Sequence, residues 1–211
     1  MSVTLNSNAL VTLADVREAL FLETLEIKDD DFLTNLINRY STRIESYCKR
    51  VFNAGLFTEF HDGDGERGEL LIDNPPIISV SGLWDDPGGY GKNDSINYGS
   101  DTVITSGEYV TESEEGTIRL VAPGTSLFNL NNCFQKGVQN IKIIYSGGYV
   151  GIPNDVQDAC IECIAGTYRK YKERLMGVAS KGSAGGSITP DSKAMSDNVK
   201  ATLAAYRRFI F

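Results

Sequence analysis

The sequence has a single histidine, fewer basic than acidic residues, and no apolar run near the length of a bilayer span. Each shortage excludes something. A membrane helix needs about 20 consecutive apolar residues, and the opening MSVTLNSNALVTL has neither a basic n-region nor a cleavage site behind an apolar core. A soluble chain without a secretory leader and without a membrane partner is therefore expected. Lys and Arg number 20 against 28 Asp and Glu, a formal net charge of -8 with an isoelectric point near 4.7. That balance argues against gripping nucleic acid through a broad basic surface. The four cysteines, Cys48, Cys133, Cys160 and Cys163, lie at spacings that suggest no disulfide framework, which fits a reducing, cytosolic setting. His61 is the one candidate imidazole base, and neither a serine elbow nor a partnered cysteine accompanies it.

What is present suffices for a globular core, with 41% hydrophobic and 23% charged residues in 211. TLADVREALFL offers Thr12 as an N-cap, Asp15 in the first turn, and Leu13, Val16, Leu20 and Phe21 on one side, a helix over about 12–22. From Asp30 to Val51, Phe32, Leu33, Leu36, Ile37, Tyr40, Ile44, Tyr47, Cys48 and Val51 recur at three-and-four spacing, a second helix with one buried face over about 30–51. Between 57 and 149 the period changes to short β-branched and aromatic runs, FTEFHD, ELLID, IISVSGLWDD, EYVTE, TIRLV and NIKIIYSGGY, separated by Gly, Asn, Asp and Pro clusters. They predict an antiparallel β region of about five or six strands, with DDPGGYGKNDSINYGSD as a long exposed loop. After Pro153, with Asn154 or Asp155 as the start, Val156, Cys160, Cys163, Ile164, Thr167, Tyr168, Tyr171 and Leu175 line a third helix over about 154–175. GVASKGSAGGSITPDS has linker composition, and Val199, Leu203, Tyr206 and Ile210 mark a closing helix. The expected fold class is α+β but mainly helical. A core over 1–176 would be an α-helical bundle with an inserted antiparallel β region, followed by a flexible linker over 177–190 and a detachable helical tail over 191–211. Removing 201–211 is then expected to leave the core folded.

Three motifs invite chemistry. GDGERG, Gly63–Gly68, matches G-x-G-x-x-G, but ELLIDNPP after it reads as a strand, and Asp64 and Glu66 would repel a phosphate. Asp62, Asp64 and Glu66 alternate as in a calcium loop, yet Arg67 stands where that pattern needs its turn glycine. CIEC, Cys160–Cys163, lacks two further zinc ligands and lies inside the third helix on its apolar face, the setting of buried core thiols. No catalytic residue, cofactor or metal is expected. The competing class is a small metal- or nucleotide-dependent enzyme built on the 61–68 loop and the Cys160 and Cys163 pair. AAYRRFIF, in contrast, sets aromatics around Arg207 and Arg208 at the end of the sequence, residue types that anchor interfaces, the alternative being a helix folded back onto its own domain.

In order and spacing, LVTLADVREAL, DDFLTNLINRYSTRIESYCKRVF, LLIDNPPIISVSGLW, GTIRL, IKIIYSGGYVGIPNDVQDACIECIAGTYRKY and LAAYRRF cover nearly the whole chain. In this layout the chain resembles the head–tail connector (adaptor, or head-completion) proteins of tailed bacteriophages. IESYCKRVF, PPIISV and the YSGGY…IP corner are the most specific pieces, while the loop from Asp85 to Asp101, the insert APGTSLFNLNNCFQKG and the glycine-rich linker depart from the pattern. The resemblance implies a non-enzymatic virion protein of the head–tail neck, assembled in the host cytoplasm. Its subunits would form a ring, commonly of twelve, under the portal protein, with a downstream neck or tail-completion protein below. Genomic DNA would pass through the channel without sequence-specific binding. Portal contact would fall on Tyr206, Arg207, Arg208, Phe209, Ile210 and Phe211. Another neck or tail-completion protein is the nearest alternative.

Overall fold

Thr12 fixes where the first helix begins. Its hydroxyl accepts the Asp15 N–H at 3.2 Å, and the Asp15 carboxylate accepts the Thr12 N–H at 2.9 Å. This capping box satisfies two donors that a helix start leaves open. The computed structural model describes residues 3–22, 27–87, 98–121, 132–174, 181–183, 186–188 and 195–208. Among them are helices α1 (Leu13–Ala19), α2 (Asp30–Cys48), α3 (Asn154–Lys172) and α4 (Asp197–Ala204). The strands are β1 (Gly55–Gly63), β2 (Glu69–Leu71), β3 (Ile77–Asp85), β4 (Tyr109–Glu112), β5 (Thr117–Leu120), β6 (Gly137–Gly147), β7 (Lys181–Ser183) and β8 (Gly186–Ile188). The chain divides into two compact units, a helical one of Met1–Phe52 and Gly151–Phe211, and a sheet unit of Asn53–Val150.

In the helical unit α2 buries Leu33, Leu36, Ile37 and Ile44, α3 buries Val156, Cys160 and Ile164, and α4 buries Val199 and Leu203. Each such aliphatic side chain taken from water contributes about 1.5–3 kcal/mol. Polar ties then fix the pairing of α2 with α3. Tyr40 and Thr167 share a hydroxyl hydrogen bond of 2.6 Å, and Asp29 accepts from the Tyr168 hydroxyl at 2.7 Å and from Lys172 at 2.9 Å. These donors hold the Asp29 carboxyl below its ordinary range, the Lys172 bond first. Phe32 stacks on Tyr171 at 4.2 Å between centroids. Asn154 is the first residue of α3, one of the two starts expected, and Pro153 occupies the cap position without a side-chain hydrogen bond.

The sheet unit holds two antiparallel three-stranded sheets, ordered β1-β6-β3 and β2-β5-β4. β6 is central because Ile141, Ile143 and Tyr145 alternate onto one face, all at most 2% exposed. They share one core with Leu70, Ile72, Leu83, Ile118, Leu120 and Phe134, drawn from both sheets. Register slips in β1 between His61 and Gly63. Asn140, fully buried, fills that irregularity: its Oδ1 accepts the Gly63 N–H at 2.8 Å, and its Nδ2 donates to Asp85 Oδ1 at 2.9 Å and to the Gln135 carbonyl at 2.8 Å. Gly63 has to be glycine, since a Cβ there would lie 1.8 Å from the Gln135 carbonyl oxygen.

Two expectations need correction. A mainly helical chain on a bundle core is overturned: α1 and α4 have only 7 and 8 residues, and the two antiparallel sheets form a unit with a core of its own. Strands are short in sequence, so each looks minor beside the two 19-residue helices, whereas their pairing and shared apolar face make the unit. The stretch from Asp85 to Asp101 is expected to be exposed, but its first two residues, Asp85 and Asp86, are buried, with the Asp85 N–H donating to the Thr102 carbonyl at 3.0 Å. Residues 88–97 of it lie outside the described residues. Within the expected linker, β7 and β8 pair antiparallel, Lys181 opposite Ile188.

Candidate functional site

The described part of the C-terminal segment, 195–208, packs on the helical unit. Ser196 caps α4, its Oγ accepting the Val199 N–H at 3.1 Å, and the same hydroxyl donates to Glu162 Oε1 at 2.7 Å. Val199 and Leu203 are 1% and 0% exposed. Of the two placements open to this segment, detached or folded back, the described part is folded back and supplies core residues, and removing 201–211 would take Leu203 out of that core.

Past α4 the chain meets the end of α2. Lys49 leaves that helix in the left-handed conformation, φ 55 and ψ 43, and Phe52 follows, fully buried, with its N–H donated to Glu45 Oε1 at 3.3 Å. The Tyr206 ring lies 5.9 Å from the Phe52 ring, and its hydroxyl donates to the Asp155 carboxylate at 2.8 Å. Arg207 lies over the Tyr47 ring at 5.5 Å, Arg50 over Phe52 at 5.1 Å, and the Arg208 N–H donates to the Cys48 carbonyl at 2.9 Å. Burial pushes the Cys48 thiol up to about 11, so it is a packing group there. Tyr206, Arg207 and Arg208 are thus brought together at one end of α2. Phe209, Ile210 and Phe211 lie outside the described residues.

The sequence did not single out Phe52, Tyr47 and Asp155 as partners of that segment. A signal existed in IESYCKRVF, where aromatics flank a Lys–Arg pair as they flank the Arg–Arg pair of AAYRRFIF.

The other motifs lie elsewhere. Gly63 ends β1, and the Asp64 Oδ1 accepts the N–H groups of Glu66 and Arg67, each at 2.8 Å, so its carboxyl sits below the ordinary range through backbone hydrogen bonds. The segment leads from a strand of one sheet to β2 in the other, which makes it a connection between sheets. No helix N-terminus follows to face a phosphate. Cys160 and Cys163 are buried in α3, and burial raises their thiols to about 12 and about 11. His61 faces Glu59 at 3.0 Å, and Glu59 also accepts the Tyr145 hydroxyl and the Asp73 N–H. Among the described residues no group of three His, Cys, Asp or Glu side chains is placed to hold a metal ion, and no helix is long and apolar enough to cross a membrane.

No family model and no curated protein matches the chain. Solved structures do. Against a chain of the neck of the empty gene transfer agent particle, computed with C6 symmetry, the identity is 16% with a TM-score of 0.53. A chain of the virion of the native gene transfer agent particle gives 15% and 0.55, and one from the native neck computed with C12 symmetry gives 14% and 0.53. Each match covers 100% of this chain and 96% of the other. At such identities the likeness establishes the fold, and from end to end this chain has the fold of chains found in gene transfer agent neck and virion structures.

Proposed function

We propose that this protein is a structural subunit of a virion neck, a head–tail connector whose copies form a ring beneath the portal. The observation that carries the proposal is the shared fold across the entire length of this chain and nearly all of chains from gene transfer agent necks. The order of the sequence pieces that resemble phage connectors supports it independently. One of those necks was computed with C12 symmetry, which supports a ring of twelve. Heterologous contacts that close such a ring need two different patches per subunit, and a helical unit and a sheet unit can supply them. The role calls for no catalysis, cofactor or metal.

The two units have different parts in this proposal. Tyr206, Arg207, Arg208, Phe209, Ile210 and Phe211 contact the portal, and the sheet unit receives the downstream neck or tail-completion protein. DNA passes through the channel without sequence-specific contact. The net charge of -8 suits passage, because a ring of Lys and Arg would hold the polyanion with a strong, salt-dependent affinity.

A chain ending at Arg208 keeps Val199, Leu203 and Tyr206 and is expected to melt with the full-length protein. It is expected to bind its portal protein at least about tenfold more weakly, since truncating aromatic interface anchors typically costs about 2 kcal/mol or more. Co-sedimentation with the portal, alongside a thermal melt, reads both. Undiminished portal binding would remove 209–211 from the interface. Co-purification with a tail protein alone would favour the other neck or tail-completion role.

A further inference from the structure

β1 is a nine-residue strand at the edge of its sheet, paired with β6 on one side. In an antiparallel ladder successive residues turn their N–H and C=O groups to opposite sides. β6 gives the phase. The Asn140 carbonyl accepts the Asp86 N–H at 2.8 Å and the Gly148 N–H donates to the Pro76 carbonyl at 3.0 Å, so the even-numbered residues of β6 turn toward β3. Ile141, Ile143, Tyr145 and Gly147 therefore turn toward β1, where they face His61, Glu59, Phe57 and Gly55. Leu56, Thr58 and Phe60 are left pointing the other way. Among the described residues no main-chain group bonds to these three on that side. The opposite edge of the sheet is closed: the Asp85 and Ile77 N–H groups donate to the Thr102 and Ser113 carbonyls at 3.0 and 2.9 Å, and the Ile104 N–H donates to the Leu83 carbonyl at 2.8 Å.

We propose that the open side of β1, at Leu56, Thr58 and Phe60, takes an extended strand of the downstream neck or tail-completion protein, added to the sheet through main-chain hydrogen bonds. The proposal rests on the connector reading and gives the sheet unit its mode of contact. Strands that end a sheet in solvent are usually short or carry Lys or Pro. β1, GLFTEFHDG, has neither and leaves Leu56 and Phe60 72% and 45% exposed on one face. A second copy fits this edge poorly. Two β1 edges paired on each other make an isologous dimer, which closes and cannot propagate around a ring. The other edge strands of the sheet unit, β2 and β4, have three and four residues, and β4 carries Glu112 with Glu108 just before it. Acid would then meet acid, since residues 51–66 hold Glu59, Asp62, Asp64 and Glu66 and no Lys or Arg. Lys142, opposite Phe60 on β6, lies over the Trp84 and Tyr98 rings. Charge complementarity therefore selects an apolar strand that carries Lys or Arg.

Residue-resolved amide hydrogen exchange reads the edge directly, on the full-length protein alone, on its complex with the portal, and on necks purified from virions. In the protein alone, the N–H groups of Phe57, Glu59 and His61 are expected to be protected by β6, and those of Leu56, Thr58 and Phe60 to exchange fast. In virion necks the second set should slow by at least about tenfold, while staying fast in the portal complex. Protection already present in the portal complex would give the edge to the portal or to a second copy and overturn the choice of occupant. No protection in any state overturns the inference and leaves the connector reading standing. Virion necks that lack the protein overturn the connector reading itself. A pair of variants isolates the main-chain bond: Thr58→Pro deletes one outward N–H without touching the ladder to β6, and Thr58→Val keeps it. Both should melt close to wild type and bind the portal, but necks built with the proline variant should retain at least about tenfold less of the downstream protein. Equal retention by two folded variants overturns the inference. If the proline variant does not fold, the exchange pattern of the wild type decides.

Discussion

Phe52→Ala is expected to destabilise the helical unit by about 3–5 kcal/mol, the usual cost of emptying a fully buried phenylalanine site. Phe52 is 0% exposed and carries the Arg50 guanidinium at 5.1 Å and the Tyr206 ring at 5.9 Å. Its loss therefore removes core packing and the seat of the C-terminal segment together. At roughly 2–4 °C per kcal/mol for a chain of this size, the melting temperature should fall by about 10 °C. Phe52→Leu, which refills most of the volume, should cost under about 2 kcal/mol and keep the seat. If the alanine variant melts within a degree or two of wild type, the arrangement around Phe52 is not the one described.

Asn140→Leu should be comparably severe in the sheet unit, for electrostatic rather than packing reasons. Leucine nearly matches the volume but withdraws the bonds to the Gly63 N–H and the Gln135 carbonyl and one of the two donors to the Asp85 carboxylate. At about 1–3 kcal/mol for each buried group left without its hydrogen bond, a loss of about 4 kcal/mol follows. The pH dependence separates this cause from simple misfit. Burial already pushes the Asp85 carboxyl above its ordinary range, against the donors Gln135 N–H and Asn140 Nδ2, and Asp86 pushes the same way. A carboxyl raised in the folded state favours folding most at low pH, and that contribution is lost as pH rises through its folded value. Removing a donor to the charged form raises it further. The gap between Asn140→Leu and wild type should therefore be widest at neutral pH and narrow as pH falls and Asp85 protonates. Urea unfolding at several pH values measures it, and a gap constant with pH would mean that Asp85 plays no part.

Much of this fold is legible because periodicity reports burial on one element at a time. Leu33, Leu36, Ile37 and Ile44 at helical spacing mark α2, and Ile141, Ile143 and Tyr145 at alternating spacing mark β6; all seven are buried. What lies hidden depends on residues far apart in sequence. Asn140 is polar and sits in a strand, and only the register slip at Gly63 turns it into a core residue. Asp85 and Asp86 look like the start of a solvated loop until their backbone N–H groups are seen bonded to Thr102 and Asn140. The relative weight of helix and sheet is misread from sequence for the same reason, since pairing between short strands carries no local signature. At the C-terminus, residue types are readable and placement is not. Tyr206, Arg207 and Arg208 stand out as interface chemistry in the sequence, but their contact with Tyr47, Cys48 and Phe52 is a tertiary fact.

The central claim is a ring beneath the portal, and the measurement closest to it is an electron-microscopic reconstruction of the full-length protein mixed with its portal, computed without imposed symmetry. The account expects a ring of this protein, twelve copies by the connector proposal, seated on the portal with residues near Tyr206–Arg208 at the contact. Portal particles without added density, while the protein remains folded and in excess, would contradict it.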